Sequence, residues 1–465
     1  MISIKKLDCR IPIAEIFELF HEEEDTVILE SSLVNSPGQF SIIGRKPYLK
    51  IEKKGNGVLI NGKRAWVDFE TYVKKYFTEN HQENKSSLPL ISGAIGYFAY
   101  DDNKEKEGED GLAESILIFY DQFIMEAHDK NEIYVVANGK TNQADILIQE
   151  VELKIGQARR RQNSGPRPPR TEIFETKYDF NKEEYLQAIH KMMDYIVEGD
   201  IYIANMTQRI FLESDRKPYD LYVTLRRENP APYAAYLNYN EFQVVCASPE
   251  RFIRVKDQTI ITKPIKGTRK RGCTPGEDRI MRMELEHSEK DKSELLMIVD
   301  LERNDLNKIC EPGSVTVNHL FDIESYATVH HLVATVSGHL KPETDIIDIT
   351  RAVFPGGSIT GAPKKRAMEI IEELEHTKRG LYTGSIGYFS LNGDCDMNIV
   401  IRTAIYQNGI YQLGVGGGIT FESDAAMEYE ETLLKAKAFV NALRPAKEND
   451  SSMGFMQGRN CYDRD

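Results

Sequence analysis

Nowhere among the 465 residues is there an apolar run of about 18, the length that crosses a bilayer. The amino terminus, MISIKKLDCRIPIAEIF, also lacks an apolar core of signal-peptide length, so neither membrane spanning nor secretion is expected. The six cysteines (Cys9, Cys246, Cys273, Cys310, Cys395 and Cys461) are scattered without CxxC spacing. No thiolate zinc site or disulfide framework follows, and a cytoplasmic protein is expected. Basic side chains are outnumbered 73 to 59, giving a net charge of −14. This disfavours a dedicated nucleic-acid binder. A small anionic substrate stays open, because a local cluster of arginine and backbone N–H groups can oppose the global sign. Three signatures are missing as well: a GxxxxGK[ST] P-loop, an HExxH zinc helix and a cysteine in a GxCxG elbow.

What is present is a globular pattern, 41% hydrophobic and 28% charged, long enough for two or three domains. DQFIMEAH, NEIYVVAN and GIYQLGVGG read as strands. KEEYLQAIHKMMDYIVEG (182–199) reads as a helix with Leu186, Ile189, Met193 and Ile196 on one face, stopping at Gly199. GQARRRQNSGPRPPR (156–170) reads as an exposed linker, and residues 446–465 as a disordered tail. One echo stands out: SGAIGYFAY (92–100) returns as TGSIGYFSL (383–391). That separation exceeds any solenoid period, so paired equivalent strands in two halves of one sandwich are expected.

Four stretches carry residues that packing alone does not demand. In TIITKPIKGTRKRG (259–272), Lys266 follows a strand and sits between Pro264 and Gly267. It is either a solvated lysine or an amine made nucleophilic by burial beside another cation, with Lys263 the nearest candidate. ASPERF (247–252) sets Glu250 after a Ser-Pro turn, as a surface ion-pair partner or a general acid/base. Two helices stack carboxylates at i, i+3: Asp291 and Glu294 in 290–306, Glu428 and Glu431 in 428–439. Such oxygens suit magnesium, although helix glutamates are ordinarily solvated. FPGGSITGAPKKRAME (354–369), with Pro363 in the first helical turn, and LGVGGGITFESD (413–424), with the amides of Gly416, Gly417 and Gly418, read as anion cradles. Arg402 has the fork geometry to grip a carboxylate. In TVHHLVATVSG (328–338), His330 and His331 point in different directions, one satisfied in the core and one free to enter a site.

In this order, GDIYIANMTQR, NPAPYAAYL, SPERF, PIKGTRKRG, SELLMIVDLERNDL, VHHLVATVSG, FPGGSITGAPKKRAMEII, GSIGY, IRTAI, GGGI and EYEETLLKA resemble the chorismate-utilising family over nearly all of residues 20–445. The resemblance implies an α+β fold, a large α/β/β/α sandwich of two antiparallel sheets whose halves are related by a pseudo-two-fold. Residues 1–155 would form its N-terminal part and 171–445 its chorismate-binding catalytic part. PIKGT resembles the branch that forms aminodeoxychorismate for para-aminobenzoate and folate. The anthranilate-forming branch, which is the closest rival, typically has alanine in place of Lys266. A catalytically silent homologue of the fold is the rival from another class. The resemblance makes Lys266 the covalent nucleophile, Glu250 the general acid/base and His331 the catalytic histidine. It makes Glu294 and Glu431 the magnesium ligands, with Asp291 and Glu428 acting through water. Thr360 would touch substrate, while Tyr382, Arg402, the amides of Gly416, Gly417 and Gly418, and Lys435 would hold carboxylates. Chorismate is the implied substrate, with nitrogen from free ammonia or a separate glutamine amidotransferase subunit. Ile203 stands where the family often has glutamine, which disfavours water as the nucleophile. ILESS (28–32) with NPAPY suggests a tryptophan pocket around Ser31 and Pro230, or a merely structural role there.

Overall fold

A computed structural model describes residues 2–9, 11–33, 39–101, 111–160, 173–326 and 329–444. Of the expected linker, residues 156–160 continue the helix Ala144–Arg160, and 161–170 lie outside the described residues, as does the tail at 446–465.

The expected strands form within Ser115–Ala127, Glu132–Ala137 and Ile410–Ile419. Each is long and rich in β-branched or aromatic residues, and each is largely buried, as central strands are. The helix Lys182–Val197 opens with a capping box at Asn181 and Glu184 and ends before Gly199, whose φ is 85°. Its buried stripe is Tyr185, Ala188, Ile189 and Met192, with Leu186, Met193 and Ile196 only partly covered at its edge.

Among the described residues all strand pairings are antiparallel, and hydrogen bonding passes continuously through 22 strands. The ladder folds back on itself. Its inner faces enclose a core containing Ile42, Ile95, Ile118, Leu237, Val244 and Ile405. Helices cover the outer faces and build three further cores, one under Ala425–Leu443, one under Glu289–Ile309 and one under Lys182–Val197 and Lys364–Leu374. The α+β sandwich is thus two layers joined through shared strands. Among the described residues, no helix is long and apolar enough to cross a membrane.

The sequence echo lies at the centre of this ladder. Gly93–Phe98 pairs directly with Ser385–Ser390, and Gly96 stands opposite Gly387, its own counterpart in the repeat. Ile95 faces Tyr388 while Tyr97 faces Ile386, so a local two-fold runs between the glycines. Neither glycine has room for a side chain: a Cβ would meet the Ile116 carbonyl at 1.9 Å and the Asp396 carbonyl at 2.2 Å.

Candidate active site

Lys266 is presented by a bulge. Its strand, Ile265–Lys270, pairs with Val329–His339 so that Lys266 faces Leu332 and Thr268 faces His331. Gly267 is the residue left over, with a left-handed φ of 73°. A Cβ there would stand 2.8 Å from both Asp291 Cγ and Leu285 Cδ1. The half-buried lysine places Nζ 3.4 Å from the Ser358 carbonyl and 3.6 Å from where a Cβ on Gly418 would be. Lys263 is not the neighbouring cation. It turns away to an ion pair with Glu324, which also accepts from the Tyr326 hydroxyl at 2.6 Å.

Glu250 follows the Ser-Pro turn into the same space. Ser248 ties the turn down, accepting from the Glu250 N–H at 3.2 Å and donating to the Ile399 carbonyl at 2.6 Å. Burial pushes the Glu250 carboxyl up to about 7, with the Ser358 hydroxyl, the Lys266 charge and the Ile265 N–H partly offsetting it. A carboxyl poised there can give or take a proton near neutrality, beside an amine.

The two histidines divide as expected. His330 is fully buried, with Nδ1 2.7 Å from Ser325 Oγ and Nε2 3.0 Å from Asp278. His331 lies against the bulge, with Nδ1 2.8 Å from the Thr268 hydroxyl and its ring beside the Gly267 backbone. Burial first, and then the Arg402 charge, hold its imidazole down at about 4, although Glu324 opposes them. It is a neutral imidazole at pH 7.

The stacked carboxylates come from two helices, Glu289–Ile309 and Ala425–Leu443. Glu294 is raised by burial and by Asp291 and Glu428, against Lys266 and Lys290. Glu428 is raised by burial and by Glu431, while the Ser423 hydroxyl donates to it at 2.8 Å. The four acids therefore face one cleft. Asp291 is partly occupied by Arg269 at 3.1 Å, and Glu431 pairs with Lys435 at 2.6 Å. Among the described residues, no three Asp, Glu, His or Cys side chains converge closely enough to enclose a metal. Hard oxygen donors with open coordination positions still fit magnesium, which keeps waters and needs only one or two carboxylates from a protein.

The glycine strand differs from a row of free amides. Gly416, Gly417 and Gly418 lie opposite Thr207, Met206 and Asn205. The Gly416 carbonyl accepts from Lys435 at 2.7 Å, and the Thr207 and Asn205 N–H groups go to Glu375 and the Thr360 carbonyl. Antiparallel alternation therefore spends Gly417 on the ladder and leaves the Gly416 and Gly418 amides aimed outward. Tyr382 lies flat on Gly414, where a Cβ would meet its ring at 2.1 Å. Near Tyr382 and Glu431 stands Arg402, with a left-handed φ of 51° and no hydrogen-bond partner for its guanidinium among the described residues. An unpaired arginine on a cleft is an anion receptor.

The FPGG segment also differs from expectation. Its helix is Lys364–Leu374, so Pro363 caps it from outside the first turn. Lys364 bends back to Asp305 and to the Val353 and Pro355 carbonyls at 2.9 and 2.7 Å, knitting the loop rather than receiving an anion. Thr360 donates to the Gly356 carbonyl at 2.9 Å. Ser358 instead touches both Glu250 and Lys266, and a loop serine gave no sign of that in the sequence. Sequence reasoning also missed Arg379. It is buried with Glu375 at 2.6 Å and donates to the Asn205 and Ile359 carbonyls at 2.6 and 2.7 Å, bracing the loop against the glycine strand.

A separate cavity, of about 520 Å³, is lined by Ser31, Tyr233, Arg251 and Arg254. Pro230 does not line it; the prolines there are Pro89 and Pro232. Three buried polar atoms on its walls lack partners, Ser31 Oγ, the Tyr233 hydroxyl and Arg254 Nε.

The model of the chorismate binding enzyme family matches residues 30–441. Aminodeoxychorismate synthase component 1 of Bacillus subtilis is 36% identical over 450 residues, covering 93% of this chain and 94% of that protein. Anthranilate synthase component 1 of Acetivibrio thermocellus is 35% identical over 467 residues, covering 95% and 94%. Against other curated relatives, such as the probable chloroplastic aminodeoxychorismate synthase of rice, the chain spans about half (53%) of the relative's length. The crystal structure of anthranilate synthase component I from Streptococcus pneumoniae TIGR4 superposes with a TM-score of 0.77 at 30% identity, covering 87% of this chain and 92% of that one. With the family's match running through every element of the cleft, the chain belongs to the chorismate-binding enzymes.

Proposed function

We propose that the protein converts chorismate and ammonia into 4-amino-4-deoxychorismate, as a cytoplasmic transferase with Lys266 as its covalent nucleophile. The relatives alone do not separate this activity from anthranilate synthesis, because 36% and 35% identity are equivalent. The observation that carries the reading is Lys266 itself, held by the Gly267 bulge beside Glu250 and over the Ser358 carbonyl.

In this reading the Lys266 amine attacks the ring's second carbon while the 4-hydroxyl leaves with the Glu250 proton as water. Ammonia then attacks the fourth carbon and expels the lysine, and the proton lost from nitrogen returns to Glu250. The enolpyruvyl group is kept. His331 stays neutral and polarises without competing for that proton. Arg402 and the outward amides of Gly416 and Gly418 hold substrate carboxylates, beside Lys435 and Tyr382. Magnesium, held by Glu294 and Glu431 with Asp291 and Glu428 behind them, would supply Lewis-acid pull on a ring carboxylate. Ammonia would be delivered by a separate glutamine amidotransferase subunit.

The cavity at Ser31 supports a second role, as the tryptophan site that the resemblance implies. Its walls carry unpartnered donors suited to an amino acid's carboxylate, and the acceptors Asp394 and Asp396 for its ammonium.

The test is a product assay with chorismate, magnesium and ammonium, alone and with an amidotransferase subunit. Aminodeoxychorismate without pyruvate is expected, and Lys266→Ala should abolish it. Anthranilate with pyruvate, or a folded Lys266→Ala protein with full turnover, would overturn the proposal.

A further inference from the structure

Behind Glu250 lies a second carboxyl that the proposed chemistry leaves unused. Glu302, on the inner face of Glu289–Ile309, is 91% buried, and its Oε2 has no hydrogen-bond partner among the described residues. Its Cγ is 3.7 Å from where a Cβ on Gly357 would stand. It therefore underlies the turn whose next residue, Ser358, bridges Glu250 and Lys266.

Among the described residues no cation forms an ion pair with it. Lys364, the nearest on the adjoining helix, spends its three protons on Asp305 and the Val353 and Pro355 carbonyls. Asp305, one turn along the same helix, and Glu250, from the Ser-Pro turn, both add negative charge; Lys266 stands beyond Glu250. The remaining neighbour is the Thr262 hydroxyl, which lies against the carboxyl and already donates its one proton to the Phe252 carbonyl at 2.7 Å. A hydroxyl that has given its proton can only accept. With that proton spent, a hydrogen bond from Glu302 to Thr262 can form only when Glu302 carries the proton.

We infer that Glu302 is a positioning residue that must stay protonated for Glu250 to work as an acid: its neutral carboxyl donates to Thr262, seats the Gly357–Ser358 turn and keeps a second negative charge away from Glu250. Burial and then the Glu250 charge push Glu302 up to about 8, against the Thr262 hydroxyl and the Lys364 charge. The inference rests on Glu250 being the proton donor in the proposed reaction.

Two measurements test it, and both are independent of which chorismate product forms. The first is the basic limb of log kcat for the wild type at saturating chorismate and fixed free ammonia. With Glu250 near 7 and Glu302 near 8, turnover needing both protons falls with a limiting slope of about two per pH unit. Glu302→Gln keeps a donor for Thr262 and should fall with a slope of about one. At pH 9 it should retain about tenfold more of its own optimum than the wild type does of its own. The second is infrared spectroscopy at pH 7.5, where the carbonyl band of a buried neutral carboxylic acid should be present in the wild type and lost in Glu302→Gln. A single-proton limb in the wild type, or no such band, overturns the inference even if the variant fails to fold. Anthranilate as the product, with the steep limb intact, would overturn the functional reading and leave Glu302 in its role.

Discussion

Replacing Gly267 by alanine tests the bulge that places Lys266. A left-handed φ of 73° costs an alanine about 1–2 kcal/mol. Its methyl group would then sit 2.8 Å from Asp291 Cγ and from Leu285 Cδ1, each more than half an ångström inside ordinary contact. Leu285 is fully buried, so relief comes from moving backbone, and overpacking of this kind costs about 1–3 kcal/mol. The total is about 2–5 kcal/mol. With an unfolding entropy of about 2.1 cal/mol/K per residue, 465 residues give about 1 kcal/mol per degree. The melting temperature should therefore drop by about 2–5 °C. The same displacement moves Lys266 relative to Glu250, and since about 1 Å of misplacement costs about a hundredfold in rate, a loss of at least about tenfold in kcat is expected. Gly156→Ala is the control: it sits in a helix with nothing within 4 Å, and alanine there is expected to be neutral or stabilising by up to about 1 kcal/mol. Thermal melts followed by circular dichroism, with initial rates on the same samples, decide the matter. A Gly267→Ala protein that melts and turns over like the wild type would refute the bulge as the device that aims Lys266.

Turnover should decline as pH rises through about 7, where Glu250 loses its proton, and His331, held at about 4, should add no ionisation above pH 5; a rate–pH profile checks both. Stability should follow the same groups. Unfolded glutamates titrate near 4.5 while folded Glu250 and Glu302 titrate near 7 and 8, so the native state holds extra protons in between and loses a few kcal/mol as pH climbs from about 5 to 8. Denaturant midpoints at pH 5.5 and 8.5 should show that fall, and a flat dependence would contradict it. Arg402→Lys should raise KM for chorismate about tenfold or more with a smaller change in kcat, because a lysine cannot make two parallel hydrogen bonds to a carboxylate. An unchanged KM would remove Arg402 from substrate binding.

The sequence was most informative where one residue type answers one local demand. Gly267 beside Lys266, the adjacent histidines with divided loyalties, and the repeated IGYF strands all follow from backbone freedom or period-two alternation, and each is found in the fold. The acids of the two helices could be paired only in outline, since i, i+3 spacing says which residues share a face and not which helices meet. Contacts made across distant loops were not legible. Ser358 reached Glu250 and Lys266 through a turn set by Gly356 and Gly357. Nothing in the sequence marked Glu302 or Lys364, and the stretch 354–369 read only as an anion cradle, whereas in the fold Glu302 is buried and Lys364 bends back to the Val353 and Pro355 carbonyls. The outward amides of Gly416 and Gly418 needed the register with Met206, which no single strand contains.

The seam between the two echoing strands has a consequence for how the chain is made. Gly96 finds its partner in Gly387, so the middle of the ladder is completed by residues synthesised 291 positions later. Until then, the edge of Gly93–Phe98 is an open, wholly buried-type strand with unpaired N–H and C=O groups. The N-terminal part has no stopping point at which it can finish by itself on the ribosome. Such long-range closure makes folding slow and leaves the nascent edge prone to pairing with other copies. Expression of the first half alone should yield aggregates, and rescue should require co-expression of a segment carrying Ser385–Ser390.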